Sequence, residues 1–344
     1  MTIQHEIYAQ PTVISELLEH GLVQAYQLAA KIRKHDIRYV YAAGRGTSEH
    51  ASIYGQYLFG TLNRLPVALA APSLFTIYQQ PPNLRHALVI GVSQSGQSPD
   101  ILAVIDEAQR QGALTLAITN DPASPLAQHA ALHFDIAAGP ELAVAATKTY
   151  TAQLTAFALL AIALADDQAR LTELRRLPVA LTEALQLEEV VATAASHFRT
   201  MSYCVVLGRG FQLATALEWS LKLKEMAYVV AERYSTAEFQ HGPIALIEPG
   251  FPVLAVATRD AGSMYIANLL DRLRAAGAEL LVLSDDRTLF AHGVTGLLIP
   301  AGIPDWLTPI VTIVPAQLFC YHLALARGVD PLHPRGLRKI TRTH

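Results

Sequence analysis

The stretch that decides the fold is A-L-V-I-G-V-S-Q-S-G-Q-S-P-D-I-L-A-V-I-D-E-A-Q-R-Q-G, residues 87–112. It opens with the apolar run Ala87–Val92, whose length and β-branched content predict a buried parallel strand. Apolar residues at helical spacing follow over Ile101–Ala108, and Gly112 ends that predicted helix. A strand, a short loop and a helix in this order form the unit from which parallel α/β sheets are built.

The loop of this unit, Ser93-Gln94-Ser95-Gly96-Gln97-Ser98-Pro99, is rich in hydroxyl and amide donors. Ser98 suits the N-cap and Pro99 the first helical position. Backbone N–H groups and the helix dipole at such a terminus favour an anion. The loop has neither the Gly-Lys-Ser/Thr of a Walker A sequence nor G-x-G-x-x-G, so no nucleotide is expected. We therefore predict a phosphate cradle without a fixed positive charge; an ordinary capped turn is the alternative.

Composition narrows the class of protein. The chain has 344 residues, of which 51% are hydrophobic and 16% charged, with a net charge of −3. These values predict two well-buried domains and do not favour nucleic acid as a partner. The apolar stretches Leu154–Ala165 and Ile310–Ala326 are expected to be buried helices rather than membrane spans. The N-terminus lacks the build of a signal peptide, and Cys204 and Cys320 are interpreted as reduced core residues, so we expect a cytoplasmic protein with no membrane contact.

The chain repeats itself at a constant offset. S-Y-C-V-V-L-G-R-G at 202–210 echoes R-Y-V-Y-A-A-G-R-G at 38–46, 164 residues earlier, and residues 273–284 echo 109–119. With the alternation of strands and helices, this predicts two doubly wound parallel sheets flanked by helices, each a three-layer αβα domain. The second copy carries Thr258–Ser263, with an acid, in place of the anion loop. The predicted organisation is an N-terminal helical segment (1–36), a first domain with connector helices (37–190), a second domain (191–327) and a C-terminal tail (328–344).

A predicted helix at about 212–232 carries Glu218, Lys222 and Glu225, spaced four and three apart, on one stripe. Such a stripe is often a solvated face. In a chain this poor in charge, however, a lysine between two glutamates can tune one carboxylate as a base. His241 in a Gly/Pro loop and Lys339 in the basic tail would each be ordinary surface residues alone. Together with the stripe they suggest a base, a proton shuttle and an amine.

The chain resembles the sugar isomerase (SIS) family over nearly its whole length. It is similar to the isomerase half of glucosamine-6-phosphate synthase and, most closely, to stand-alone SIS-type glucosamine-6-phosphate deaminases. The resemblance rests on G-T-S at 46–48, S-Q-S-G at 93–96, A-V-A-A-T-K at 143–148, L-G-R-G at 207–210, A-L-x-x-x-L-K-L-K-E at 216–225, A-E-F-Q-H-G-P at 237–243 and P-R-G-L-R-K at 334–339.

The resemblance implies roles for individual residues. The sugar 6-phosphate would be held by Ser93, Gln94, Ser95 and Ser98, with Ser48 close by, and the sugar would be faced by Thr47, Val144 and the position of Ala146. Glu225 would move a proton between C1 and C2, supported by Lys222 and Glu218. His241 from a second subunit would open the sugar ring, and Lys339 would close over the open-chain sugar. The family needs no metal or organic cofactor, and its use of His241 implies a homodimer with a shared active site.

Departures from the synthase pattern favour a different direction of the reaction. A glutamine-hydrolysing domain is not recognised in the sequence, Ala146 stands where the synthase has a serine, and Arg45 stands where it has a small residue. Arg45 could meet the phosphate, pair with an acid of the partner subunit, or merely pack. We expect a phosphosugar isomerase that converts glucosamine 6-phosphate to fructose 6-phosphate and ammonia. The alternatives are a ketose–aldose phosphate isomerase, a fructosamine-6-phosphate deglycase, or a sugar-phosphate-sensing regulator.

Overall fold

The structure, a computed structural model, describes residues 2–339. These residues fall into two compact units. The first unit comprises residues 9–176 and, at the C-terminus, 336–339; the second comprises residues 2–8 and 177–335. The two units are described separately.

The helices and strands are numbered in chain order. The helices are α1 (Ile3–Tyr8), α2 (Gln10–Ile32), α3 (Thr47–Leu58), α4 (Ser73–Thr76), α5 (Pro99–Arg110), α6 (Pro125–His129), α7 (Lys148–Ala165), α8 (Gln168–Leu174), α9 (Leu177–Leu185), α10 (Glu188–His197), α11 (Gln212–Ala227), α12 (Thr236–Phe239), α13 (Ser263–Ala275) and α14 (Thr308–Ala326). The strands are β1 (Tyr39–Ala43), β2 (Val67–Leu69), β3 (Ala87–Ser93), β4 (Leu114–Thr119), β5 (Leu132–Asp135), β6 (Tyr203–Gly208), β7 (Val230–Ser235), β8 (Pro252–Val256), β9 (Glu279–Ser284) and β10 (Val294–Leu298).

The first unit is built on a parallel sheet of order β2-β1-β3-β4-β5. Every residue of β3 is buried, because helices cover both faces of the sheet. On one face, α5 inserts Ile101, Val104 and Ile105 against Val89 and Ala117. On the other face, α3 and α7 pack on the strands and α2 packs along α7. The predicted central strand–loop–helix therefore forms the middle of this unit.

The second unit has a parallel sheet of order β10-β9-β8-β6-β7, which is the same order for corresponding strands. Gly44 and Gly208, each the first glycine of a Gly-Arg-Gly turn, have the same structural role in the two units. A Cβ on Gly44 would lie 2.8 Å from the Ser48 carbonyl oxygen, and a Cβ on Gly208 would lie 2.3 Å from that of Gln212. In both units, the strand can run this close to the following helix only at glycine. The predicted tandem α/β fold is confirmed.

The apolar stretches α7 and α14 are mostly buried inside the protein, as the sequence predicted. Both are long and apolar enough to cross a bilayer by length and composition alone. Cys204 and Cys320 are free and buried. Burial raises the pKa of the Cys204 thiol to about 12, so this thiol stays protonated and unreactive near neutral pH.

Two details differ from the sequence-based expectations. The helix predicted to reach residue 232 ends at Ala227, where Tyr228 adopts a left-handed conformation with φ 55°. The β-branched residues that follow, Val229 and Val230, lead into β7, which pairs with β6. The unit boundary at 176/177 also differs from the predicted boundary at 190, because α9 and α10 pack against α14.

Candidate active site

The first sheet has its switch point between β1 and β3, because the chain moves from β1 to β2 on one side and from β3 to β4 on the other. Open parallel sheets bind their ligands outside the carboxyl ends of the strands at this point. The loops at 44–46 and 94–98 follow β1 and β3 directly. The serine-rich loop therefore occupies the position where this topology binds ligands.

The serine-rich loop is a tight, ordered turn. The backbone N–H of Gly96 donates to Ser93 Oγ over 3.1 Å, and that of Gln97 donates to Ser95 Oγ over 3.4 Å. Gly96 has φ +60°, and a Cβ there would lie 2.2 Å from Ser124 Oγ. Glycine is therefore required for the loop to close against the start of α6.

Ser98 occupies the N-cap position of α5 with an extended backbone, as predicted, but its side chain makes no capping hydrogen bond. Ser124, in the same position before α6, does cap with its Oγ, which accepts from the Ala127 N–H. The first-turn N–H groups of α5 are therefore not satisfied by the Ser98 hydroxyl, and that of Ile101 donates to Asp100 Oδ1 over 3.0 Å. Such a terminus can donate to a bound anion.

Ser48 lies in the first turn of α3 and is buried. Its Oγ accepts a hydrogen bond of 3.1 Å from Gln153 Nε2 of α7, which fixes the hydroxyl. Thr47 begins the same helix. Val144 and Ala146 are half-buried in the loop between β5 and α7. These residues all belong to the first unit.

Arg45 pairs with Asp100 of its own unit. Arg45 Nε donates to Asp100 Oδ2 over 2.7 Å; the arginine side chain is 50% exposed and that of the aspartate 2%. The pair joins the loop after β1 to the first turn of α5, immediately after the serine-rich loop. Sequence reasoning missed Asp100, although an acid two residues after an N-cap serine is a visible signal.

The stripe on α11 forms a cluster of two carboxylates about one buried ammonium. Lys222 Nζ lies 3.3 Å from Glu218 Oε1 and donates a short hydrogen bond to Glu225 Oε2. Burial lowers the pKa of Lys222, but the two carboxylates outweigh it and hold the pKa above its usual range. Glu218 is fully buried, whereas the Glu225 side chain is 23% exposed. Glu225 is therefore the member of the cluster that can reach an outside molecule.

The second copy's counterpart of the anion loop contains a carboxylate of its own. Asp260 Oδ1 accepts from the Gly262 N–H over 2.6 Å at the start of α13, and the Asp260 N–H donates to Ser263 Oγ. Burial raises the pKa of Asp260. The aspartate carboxylate thus takes the N–H of the residue before α13 and adds a negative charge at this helix terminus, which disfavours a phosphate there.

The last two predicted site residues, Lys339 and His241, lie in the C-terminal tail and in the Gly/Pro loop. Lys339 Nζ donates to Glu141 Oε2 over 2.8 Å, within the first unit. His241 follows α12 in the second unit and is exposed; its backbone N–H donates to the Glu238 carbonyl. Glu141 was not singled out from the sequence, since nothing local marks an acid seven residues before α7 as buried.

In residues 2–339, no group of three or more His, Cys, Asp or Glu side chains is arranged to hold a metal ion.

Two parallel α/β units of one topology, with a donor-rich loop at the switch point of one, define a tandem α/β protein with a candidate anion site. A family model described as the SIS domain matches residues 33–163 and 200–327. The chain belongs to the SIS domain family.

Curated relatives include glutamine–fructose-6-phosphate aminotransferases [isomerizing]. The protein from Thermosynechococcus vestitus is 36% identical over 97% of this chain and 58% of its own length. That from Thermus thermophilus is 36% identical over 97% of this chain and 57% of its own length. The chain thus spans somewhat over half the length of these relatives.

Solved structures agree with this assignment. A Silicibacter pomeroyi protein assigned to the phosphosugar isomerases is 36% identical with a TM-score of 0.85, over 95% of this chain and 98% of that one. The C-terminal domain of the Francisella tularensis glucosamine-fructose-6-phosphate aminotransferase is 27% identical with a TM-score of 0.90, over 96% and 97%. A glucosamine-6-phosphate deaminase from Thermotoga maritima shares the fold, with a TM-score of 0.80 over 99% of both chains, at 23% identity.

Proposed function

We propose that this protein is a phosphosugar isomerase that deaminates glucosamine 6-phosphate, giving fructose 6-phosphate and ammonia. The observation that carries the proposal is the α11 cluster, in which a partly exposed carboxylate, Glu225, is held by a fully buried lysine. A fixed carboxylate is the group that C1–C2 proton transfer requires. The serine-rich loop supplies the donors for a 6-phosphate.

The proposed reaction begins with the open-chain amino sugar. Glu225 removes the C2 proton while the C1 carbonyl oxygen takes up a proton, which gives an enolamine. Glu225 then returns its proton to C1 while the amine loses one, which leaves an imine at C2. Water adds to C2 and ammonia departs, so the net change is the addition of water and the release of ammonia. Lys222 stays charged and keeps the Glu225 carboxylate in place.

The remaining roles follow from the family resemblance. Ser93, Gln94, Ser95 and Ser98 bind the phosphate with Ser48, and Thr47, Val144 and Ala146 face the sugar. Lys339 presents its amine to the open-chain sugar. His241 acts from a second subunit in ring opening, so the functional form is a homodimer. The two buried free cysteines fit a reducing, cytoplasmic location.

Deamination is favoured over plain isomerisation by three sequence features. The motifs G-R-G-T-S, S-P-D-I-L-A and A-V-A-A-T-K resemble those of SIS-type deaminases. Ala146 removes a hydroxyl that the synthase presents to the sugar. Because an enzyme lowers one barrier for both directions, low ammonia makes breakdown the net direction.

The test supplies glucosamine 6-phosphate and measures ammonia and fructose 6-phosphate together. Wild type should release both in equal amounts. Glu225→Gln keeps the shape of the side chain and should lower kcat about a hundredfold or more while binding of inorganic phosphate persists. Glu232→Gln, on the exposed part of β7, is the matched control and should retain wild-type turnover.

Three other outcomes of this assay would each establish a different function. Interconversion of a ketose phosphate with its aldose, without ammonia, would establish a plain isomerase. Cleavage of a fructosamine phosphate would establish a deglycase. Tight binding of a sugar phosphate without turnover would favour a sensor.

A further inference from the structure

Glu141 is a buried carboxylate with four hydrogen-bond donors around it. Its Oε1 accepts from the backbone N–H groups of Thr147 (2.9 Å) and Thr149 (3.1 Å). Its Oε2 accepts from Thr149 Oγ1 (2.8 Å) and from Lys339 Nζ (2.8 Å). Four donors saturate the acceptor sites of a carboxylate, so Glu141 has one defined position.

Three of these bonds make Glu141 the cap of α7. Thr147, the N-cap residue of this helix, makes no capping hydrogen bond with its own side chain. The Glu141 carboxylate instead takes N–H groups at the helix start, where the dipole also favours a negative charge.

The fourth bond brings in the tail. The Glu141 side chain is 0% exposed and that of Lys339 is 24% exposed. A charge this deeply buried is costly unless a counter-charge lies beside it, and Lys339 supplies one from 198 positions away in the chain. The contact therefore attaches the C-terminal segment to the start of α7.

The same loop carries the residues proposed to face the sugar. Val144 and Ala146 lie between Glu141 and α7. The N–H groups of Thr147 and Thr149 donate to Glu141, so these hydrogen bonds join the beginning of this segment to its end. The position of the Lys339 amine and the shape of this loop consequently depend on one carboxylate.

We propose that Glu141 is the positioning residue for Lys339: its carboxylate holds the tail's ammonium at the sugar-facing loop and orders that loop by capping α7. The proposal rests on the proposed function, in which Lys339 acts on the open-chain sugar. Glu141 itself does not touch the substrate.

The first experiment measures docking of the tail without any reaction. Trace acetylation with acetic anhydride, read by mass spectrometry, gives the reactivity of the Lys339 amine relative to the exposed Lys34. Glu141→Gln should raise the Lys339 reactivity toward that of Lys34. Glu107→Gln, which removes a carboxylate paired with Arg110 in the same unit, is the control and should leave it unchanged. An unchanged Lys339 reactivity in Glu141→Gln would overturn the inference.

The second experiment separates positioning from helix stability. Glu141→Gln should lower kcat about tenfold to a hundredfold, with little change in KM or in the affinity for inorganic phosphate. Glu141→Asp should recover part of kcat. Thr149→Val removes one capping bond and leaves the Lys339 pair, so it should keep most of the activity. An equal loss in Thr149→Val would assign the effect to the cap and refute positioning.

A double-mutant cycle completes the test. If Glu141 acts through Lys339, Glu141→Gln should add little to the loss seen in Lys339→Met. Losses that multiply would contradict the inference. Failure of the proposed function has a different signature, because wild type would then release no ammonia from glucosamine 6-phosphate, while the acetylation result would still report docking of the tail.

Discussion

Arg45 Nε and Asp100 Oδ2 lie 2.7 Å apart and connect the two loops that flank the switch point of the first sheet. Asp100 is almost completely buried at the first turn of α5, directly after the serine-rich loop. Its charge would oppose a phosphate at this terminus. Arg45 neutralises it, so the pair leaves no uncompensated negative charge beside the serine-rich loop.

Arg45→Gln should therefore weaken both phosphate binding and the fold. It leaves the Asp100 carboxylate without its counter-charge, so we expect a loss of about 1–3 kcal/mol in the free energy of unfolding. Inorganic phosphate should bind more weakly and with a smaller salt dependence. Denaturant unfolding and calorimetric titration measure the two effects. Arg38→Gln, in an exposed pair with Asp36, should change little. Arg45→Gln/Asp100→Asn should recover stability; no recovery would refute the charge argument.

Ser95→Asp should abolish binding of inorganic phosphate and of sugar phosphates. The substitution puts a like charge into the loop whose donors would hold the anion. Thermal shift with phosphate and the Ki of phosphate both report the effect. Ser196→Asp, on the exposed side of α10, adds the same charge elsewhere and should bind phosphate normally. Wild-type affinity in Ser95→Asp would move the phosphate site away from this loop.

Lys222→Met should destabilise the second unit strongly. It leaves the fully buried Glu218 without the ammonium 3.3 Å away, and breaking a buried pair in this way costs about 3–5 kcal/mol. Denaturant unfolding measures the loss. Lys222→Met/Glu218→Gln removes the buried charge as well and should be more stable than the single variant. A double variant that is less stable would show that Glu218 is held by other groups.

Mixing Glu225→Gln with His241→Asn subunits should restore part of the activity. Each variant alone is expected to be nearly inactive, and a shared site contains one intact set of residues in a mixed dimer. Activity is measured after denaturation and joint refolding, with each variant refolded alone as the reference. Absence of rescue, once mixed dimers are shown by mass spectrometry, would place His241 in the same subunit's site or outside it.

Asp260 should make stability fall as the pH rises. Burial raises its folded-state pKa above the unfolded value, so the folded protein binds the proton more tightly. Stability is then highest below the unfolded pKa and decreases through the window up to the raised pKa. Asp260→Asn retains the Oδ1 acceptor and should lose this component of the pH dependence. Melting temperatures from pH 3 to 7 compare the two proteins, and parallel curves would exclude the effect.

The amino-acid sequence by itself determined the central strand–loop–helix, the tandem repeat and the positions of the serine-rich loop and the α11 stripe. These features are local: a buried strand requires a short apolar run, a helix start requires a cap, and residues spaced three and four apart share a helix face. The offset between 38–46 and 202–210 likewise needs no tertiary information.

Only the tertiary structure determined which charged side chains form ion pairs and which hydrogen-bond donors stay available for a ligand. Arg45 pairs with Asp100, which is 55 positions away in the chain, and Lys339 pairs with Glu141, which is 198 positions away. The Ser98 hydroxyl makes no capping hydrogen bond to α5. The helix α11 ends at Ala227 because the residues that follow form β7, which pairs with β6. Sequence patterns report the preferences of short segments, whereas the pairing of buried charges depends on which segments the sheets bring together, since a buried carboxylate is tolerated only where the fold places a cation or N–H donors beside it.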